Sequence, residues 1–292
     1  MRITAAPNDL GLHDEVLMQQ SPRWPKAETV RMTVRCLALD YDGTLSPATA
    51  SRRESKILEK TLNVLQKIAK LTPVVIVTTK DLSFVTERTP FAHAWSAIGG
   101  LETRIGRQVQ KKQGFEHKLR DVTIALNYAK SHLNDVGAEI EEKRDFTGRT
   151  IAFCVDWRRA KDTETAMKKA EDVANYCGNL QLEVIRHGEQ PFFDVYPVHT
   201  DKGTALQEIT RELKIEDGIL YMGDSEADNL AFKASNISLG VTHNENAKQN
   251  LACDYLLEFE EVSAFLSTLL ANDLLFASDF PMIRVNLAEM RR

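Results

Sequence analysis

Short apolar runs alternate along this chain with longer stretches whose apolar positions recur every three or four residues. Cys36-Leu37-Ala38-Leu39 is wholly apolar and stopped by a glycine-containing turn, which predicts a buried strand. From Glu54 to Leu71 the positions Ile57, Leu58, Leu62, Leu65 and Ile68 share one helical face, with Ser51 placed to cap its start. Val74-Val75-Ile76-Val77 predicts a second buried strand, and another helix is expected near Leu82–Thr89. Ala97 to Ile105 reads as a strand, a turn at Gly99-Gly100 and a return strand.

The pattern changes from about residue 112. Helical periodicity covers Leu119–Leu133 and Thr163–Tyr176, and strand-like runs cover Thr150–Trp157, Leu182–Ile185 and Phe192–Tyr196. Past Asp201 a helix start, a strand from Ile219, another at Ile237–Val241 and a last helix beginning near Glu261 restore the first pattern. Strands alternating with helices predict an α/β fold with a mostly parallel, Rossmann-like sheet. The expected division is a core of 34–111 and 198–272, an inserted α/β domain at 112–197, an N-terminal extension at 1–33 and a tail at 273–292. The connections near 108–114 and 197–201 are the expected hinges.

At 292 residues the chain suits one large or two medium domains, and 43% hydrophobic residues support a real core. No apolar run reaches membrane-spanning length, and residues 1–33, with Pro7, Pro22 and Pro25, carry no apolar segment typical of a signal peptide. Cys36, Cys154, Cys177 and Cys253 are scattered singly, so a reducing, cytoplasmic compartment is expected and a soft-metal site is not. The net charge of −5 argues against a general nucleic-acid surface, and an anionic ligand must be drawn by local charge.

Candidate chemistry begins at Asp40-Tyr41-Asp42-Gly43-Thr44-Leu45. The two carboxylates stand at the C-terminal tip of the first buried strand, where open parallel sheets bind ligands. Like charges placed there are costly unless a cation or a shared proton compensates them. The ordinary alternative is an Asx turn after a strand.

These residues resemble the first motif, DxDGT[LV], of the haloacid dehalogenase (HAD) superfamily phosphohydrolases. The resemblance implies that Asp40 is a nucleophile forming an aspartyl-phosphate and Asp42 the general acid/base. Three further features occur in the order the superfamily implies. Thr78, in Val74 to Lys80, matches a phosphate-binding hydroxyl. Lys202, in Thr200-Asp201-Lys202-Gly203-Thr204-Ala205-Leu206, matches a lysine that offsets charge, although a lone lysine is ordinarily solvated. Gly223-Asp224-Ser225-Glu226-Ala227-Asp228 matches an acidic motif in which Asp224 ligates a metal and Asp228 holds a metal-bound water. Together with Asp40 and the backbone carbonyl of Asp42 this set suits Mg²⁺, a hard cation that takes oxygen ligands and keeps several waters. The insertion at 112–197 resembles a type IIB C2 cap, which implies that it is the element that chooses the substrate.

Several segments are similar to trehalose-6-phosphate phosphatases: Leu39 to Pro47, the "TDKGTAL" segment, Ile151 to Arg158, Phe193 to Pro197, and Glu260 to Leu269. The resemblance covers about 34–270. It also departs: Leu101-Glu102-Thr103 stands where that family has "EHG", Asp194 and Tyr196 replace a Glu and an Arg, and the fourth motif is nearer the sucrose-phosphate and mannosyl-3-phosphoglycerate phosphatase form. The substrate implied is a small sugar phosphate, with Arg158, Arg186, His187, Glu189 and Asp194 the candidates in the cap. Each is also a plausible solvated charge. The alternatives are another sugar phosphatase, a phosphomannomutase-like phosphotransferase, or a non-catalytic sugar-phosphate sensor, with a sugar-phosphate synthase as the candidate protein partner.

Overall fold

The computed structural model describes residues 29–187, 190–243 and 250–286. The chain opens with β1 (Arg31–Thr33), β2 (Cys36–Leu39), α1 (Glu59–Ile68), β3 (Val74–Val77), α2 (Leu82–Arg88), β4 (Ala94–Ala97), β5 (Glu102–Ile105) and β6 (Gln108–Lys111). The insertion holds α3 (Leu119–His132), β7 (Glu139–Arg144), β8 (Thr150–Asp156), α4 (Thr163–Asn179), β9 (Glu183–Arg186) and β10 (Phe192–Tyr196). The chain then returns through α5 (Lys202–Glu212), β11 (Ile219–Gly223), α6 (Asn229–Ala234), β12 (Ile237–Thr242), β13 (Tyr255–Glu258), α7 (Val262–Ala271), β14 (Leu275–Ala277) and β15 (Ile283–Val285).

The main sheet has nine strands in the order β15-β13-β12-β11-β2-β3-β4-β5-β6. From β13 to β4 every pairing is parallel, with antiparallel β5, β6 and β15 at the edges. Central strands are apolar on both faces because both are covered. Leu37, Leu39, Val74 and Ile76 share a core with residues of α1, α2 and α7, whereas Cys36, Ala38, Val75 and Val77 share one with α5 and α6. β2 lies between β3 and β11, a switch point of the sheet. Leu39 pairs with both Ile76 and Met222. Asp40, Thr78 and Asp224 therefore leave the sheet side by side.

The inserted domain is a four-stranded antiparallel sheet, β7-β8-β10-β9, backed by α3 and α4. Strand residues alternate between its faces. Phe153, Val155, Phe193 and Val195 pack with the helices. Their neighbours Cys154, Asp156, Phe192 and Asp194 line a cleft shared with the core, as do Glu139, Glu141 and Lys143 of β7.

The elements differ from the sequence expectation at several points: β1, β6 and β13 were not expected, and β6 takes up part of the expected hinge at 108–114. The first helix begins at Glu59, not Glu54, and Leu58 is exposed. The carbonyl of Ser55 accepts from Tyr41 Oη at 3.2 Å and Arg88 Nε at 3.1 Å, which holds residues 51–58 out of the helix. Ser51 bonds Glu54 Oε2 rather than capping the helix. β7 was not anticipated, because a strand reading Glu-Ile-Glu-Glu-Lys-Arg shows charge where apolar alternation is sought. The segment beyond 273, expected as a tail, contributes β14, which pairs with β1, and β15, which extends the main sheet. Phe276 anchors it, fully buried against Phe265 and Phe280. Of the expected N-terminal extension, residues 1–28 lie outside the described residues, as do Gly188 and Glu189.

Candidate active site

A cleft of about 520 Å³ opens between the carboxyl ends of β2 and β11 and the inner face of the cap. At its floor Lys202 Nζ lies 3.0 Å from Asp40 Oδ2 and 2.7 Å from Asp228 Oδ1. Lys202 is buried, contrary to the ordinary fate of a lysine. It opens α5, whose N-cap Asp201 accepts from Thr204 N at 2.7 Å. The two carboxylates beside Lys202 hold its ammonium well above the usual lysine range, in spite of burial.

Asp228 is held at both oxygens. Tyr221 Oη donates to Oδ1 at 2.6 Å, and Ser225 N and Oγ reach Oδ2 at 3.0 Å. Asp40, Asp224 and Asp228 each bring a carboxylate oxygen within 4.8 Å of the others. Burial raises Asp40 above the ordinary carboxylate range, with Lys202 opposing and Asp228 adding to the rise. Burial, then Asp40 and Asp228, push Asp224 well up. Three crowded carboxylates answered by one lysine leave an excess of negative charge that a cation would relieve.

Gly43 makes the crowding sterically possible. It adopts φ +71°, and a Cβ there would stand 1.9 Å from Asp224 Oδ2. The Gly43 carbonyl accepts from His243 Nε2 at 2.7 Å. Asp42 is not one of the trio: Ser55 Oγ donates to its Oδ1 at 3.1 Å, and Lys80 Nζ lies 3.3 Å from its Oδ2. Thr78 is buried, and its Oγ1 accepts from Lys80 N at 3.2 Å. Its neighbours Thr79 and Lys80 line the cleft.

In the cap, Asp194 is buried between Lys143 Nζ at 3.0 Å and His187 Nε2 at 2.9 Å. Lys143 and His187 hold Asp194 below the usual carboxylate range although burial alone would raise it. His187 stacks on Phe192, and Arg158 pairs with Asp156 over the same ring, its guanidinium carbon 5.0 Å from the centroid. Arg158, His187 and Asp194 thus meet in the main cleft. Arg186 does not join them: it pairs with Glu171 at 2.6 Å and lines a second cleft of about 430 Å³ with His199 and Leu230. Glu189 lies outside the described residues.

Sequence reasoning passed over Lys80, Glu141 and Lys143. Lys80 Nζ stands between Asp42 and Glu141, the latter at 3.4 Å, and Arg52 Nη1 reaches Glu141 at 2.8 Å. Lys143 Nζ donates to the Thr79 carbonyl at 3.1 Å, a direct bond from cap to core. The available signal was the alternation of Glu139, Glu141 and Lys143, which puts all three on one strand face.

Comparison with known proteins bears on this arrangement. The family model described as trehalose-phosphatase matches residues 38–256, about three-quarters of the chain. The chain belongs to the trehalose-phosphatase family. A probable trehalose-phosphate phosphatase E of Arabidopsis thaliana is 26% identical over 257 residues, covering 79% of this chain and 68% of that protein. Against some longer relatives the chain spans as little as 18% of the partner's length. The C-terminal domain of the Candida albicans trehalose-6-phosphate phosphatase superposes with a TM-score of 0.64 at 19% identity, over 82% of this chain and 94% of that one. A HAD subclass IIB sugar phosphatase gives a TM-score of 0.57 at 16% identity, over 82% of this chain and 100% of that one. The fold is accordingly the HAD core with a IIB-type cap, and the trehalose-phosphatase assignment makes this chain a phosphatase.

Proposed function

We propose that this member of the family hydrolyses a disaccharide 6-phosphate of the trehalose type, with Asp40 as nucleophile and Asp42 as the acid/base. The observation that carries the reading is Lys202, whose buried ammonium bridges Asp40 and Asp228 at the cleft floor. In this reading Asp40 attacks phosphorus in line and the sugar oxygen departs with a proton from Asp42. Asp42 then takes a proton from the water that opens the aspartyl-phosphate. Lys202 and the Thr78 hydroxyl hold the phosphoryl oxygens, so that rate comes mainly from positioning and charge. Lys80 holds Asp42 toward the cleft.

The trio of Asp40, Asp224 and Asp228 fits a hard divalent cation such as Mg²⁺. Every donor in the cluster is a carboxylate oxygen, with neither thiol nor imidazole in it. Such a cation, when bound, neutralises phosphoryl oxygens and lets a carboxylate approach them. Asp40, the Asp42 carbonyl and Asp224 would hold it, with Asp228 orienting a bound water. A cytoplasmic setting is in keeping with four unpaired thiols.

The cap supplies the choice of sugar. Phosphate is common to every ester, so discrimination must come from groups that a wrong sugar leaves unpaired. Arg158, His187 and Asp194, with Glu141 and Lys143 from β7, present donors and acceptors at the cleft's upper wall. The experiment is phosphate release from a panel of sugar phosphates, with Mg²⁺ and with EDTA, for wild type and Asp40→Asn. The expected result is Mg²⁺-dependent release from trehalose-6-phosphate that Asp40→Asn abolishes. Full turnover by the variant would overturn the mechanism, and preference for another sugar phosphate would overturn the substrate.

A further inference from the structure

One buried carboxyl between cap and core has no part in this chemistry. Glu102 stands on β5, fully buried, and its two oxygens accept from the backbone N–H of Phe146 at 3.3 and 3.2 Å. Phe146 lies in the turn between β7 and β8, so the bond ties a core strand to the tip of a cap hairpin. The charged groups facing Glu102 come from three elements: Asp145 from the hairpin, Lys111 from β6 and Asp81 from the start of α2. Lys111 is committed to Asp145, its Nζ 2.8 Å from Oδ2, and Asp145 has Arg149 as a second cation at 3.4 Å. Asp81 is paired with Arg52. Among the described residues no ion pair reaches Glu102 itself.

The position of this tip matters because of the strand it ends. Glu141, Lys143 and Asp145 all turn toward the core, where they meet Lys80 and Arg52, the Thr79 carbonyl, and Lys111 respectively. Wherever the hairpin tip sits, Glu141 and Lys143 sit with it over the cleft. We propose that Glu102 is a proton-dependent clasp: uncharged, it is buried without a charge to desolvate and lets the cap seat on the core, and ionised, it is an unpaired buried charge beside Asp145, a cost that outweighs its stronger bond to the Phe146 N–H and lets the hairpin lift. Glu102 is in this sense a positioning residue, acting on the cleft through β7.

The direction of the pH effect follows from the two environments. Burial first, then Asp145 and Asp81, push docked Glu102 up to about 7, against the Phe146 N–H and Lys111. With the hairpin lifted the carboxyl is solvated and returns toward its ordinary value of 4.5. A group whose pKa is higher in the docked form favours docking most below the lower value. That preference is lost as pH rises through the interval to about 7, up to about tenfold per pH unit.

The test is amide hydrogen exchange in the intact protein, expressed as protection relative to the unstructured rate, at about pH 5 and about pH 7.5. In wild type, protection of residues 139–150 should fall at least about tenfold over this interval while β3 is unaffected. Glu102→Gln keeps an acceptor but cannot ionise, and its protection there should be flat. Asp145→Asn removes the main repelling neighbour and should shrink the wild-type drop, which keeps the proposal testable if Glu102→Gln does not fold. A flat wild-type profile, or an equal fall in Glu102→Gln, would overturn it. Only the consequence for turnover rests on the phosphatase reading: KM for the sugar phosphate should rise over the same interval in wild type and not in Glu102→Gln. Exchange requires no turnover, so the two readings fail separately.

Discussion

Gly43 and Asp224 meet so closely that a Cβ on the glycine would lie 1.9 Å from Oδ2 of the acid. The contact joins the turn after β2 to the end of β11 and sets where the Asp224 carboxylate can stand. Gly43→Ala should therefore displace Asp224 and also strain a backbone at φ +71°. Displacement of this order costs roughly 10²-fold in kcat/KM. Steady-state kinetics beside a thermal melt will separate the loss of activity from a modest loss of stability.

Lys202 should stabilise the folded protein as well as serve the proposed chemistry. Lys202→Met leaves Asp40 and Asp228 buried without their counter-ion, a change that costs roughly 3–5 kcal/mol when a buried pair is broken. The variant should be inactive and unfold at markedly lower denaturant. A wild-type denaturation midpoint in Lys202→Met would show that the carboxylates relax or bind protons at little cost.

Cation binding should be visible without turnover. A ligand that binds only the native state raises stability by about 2.7 kcal/mol at 100 times its dissociation constant. Mg²⁺ should thus raise the melting temperature of wild type and leave that of Asp224→Asn nearly unchanged. Equal shifts in both proteins would place the ion elsewhere.

Asp145 makes an acid-sensitive contribution. Lys111, Thr147 and the Arg149 N–H overcome its burial and hold it at about 2. Its folded value is depressed, so its contribution of roughly 2 kcal/mol is present above about pH 4 and is lost as pH falls toward 2. The stability difference between wild type and Asp145→Asn, from urea titrations, should shrink over that interval.

Lys80 joins Asp42 of the core to Glu141 of the cap. Lys80→Met should lower kcat/KM by about tenfold, and Lys80→Arg should restore most of it because the charge remains within reach of both acids. Full activity in Lys80→Met would mean that Ser55 alone is enough to hold Asp42.

The buried strands and the motif residues at their tips were legible in the sequence because each is a local pattern. Four apolar residues, then Asp-x-Asp-Gly or Gly-Asp, state both the strand and its end. The cap's helices and β8 to β10 were legible for the same reason. Residues 51–58 were not, because their escape from α1 depends on Tyr41 and Arg88 taking the Ser55 carbonyl, contacts made across the chain. β7 and β15 were not, because an edge strand held by ion pairs or by three residues shows no apolar alternation.

The order of motifs along the chain determined the chemistry class and named the carboxylates proposed to carry it. Only the tertiary structure decided that Lys202 is buried between two of them, that Arg186 faces a different cleft, and that Lys80, Glu141 and Lys143 join cap to core. The physical reason is that hydrophobic burial is recorded residue by residue in the sequence. The worth of a charge is set by partners far along the chain, as Thr79 lies 64 residues from Lys143.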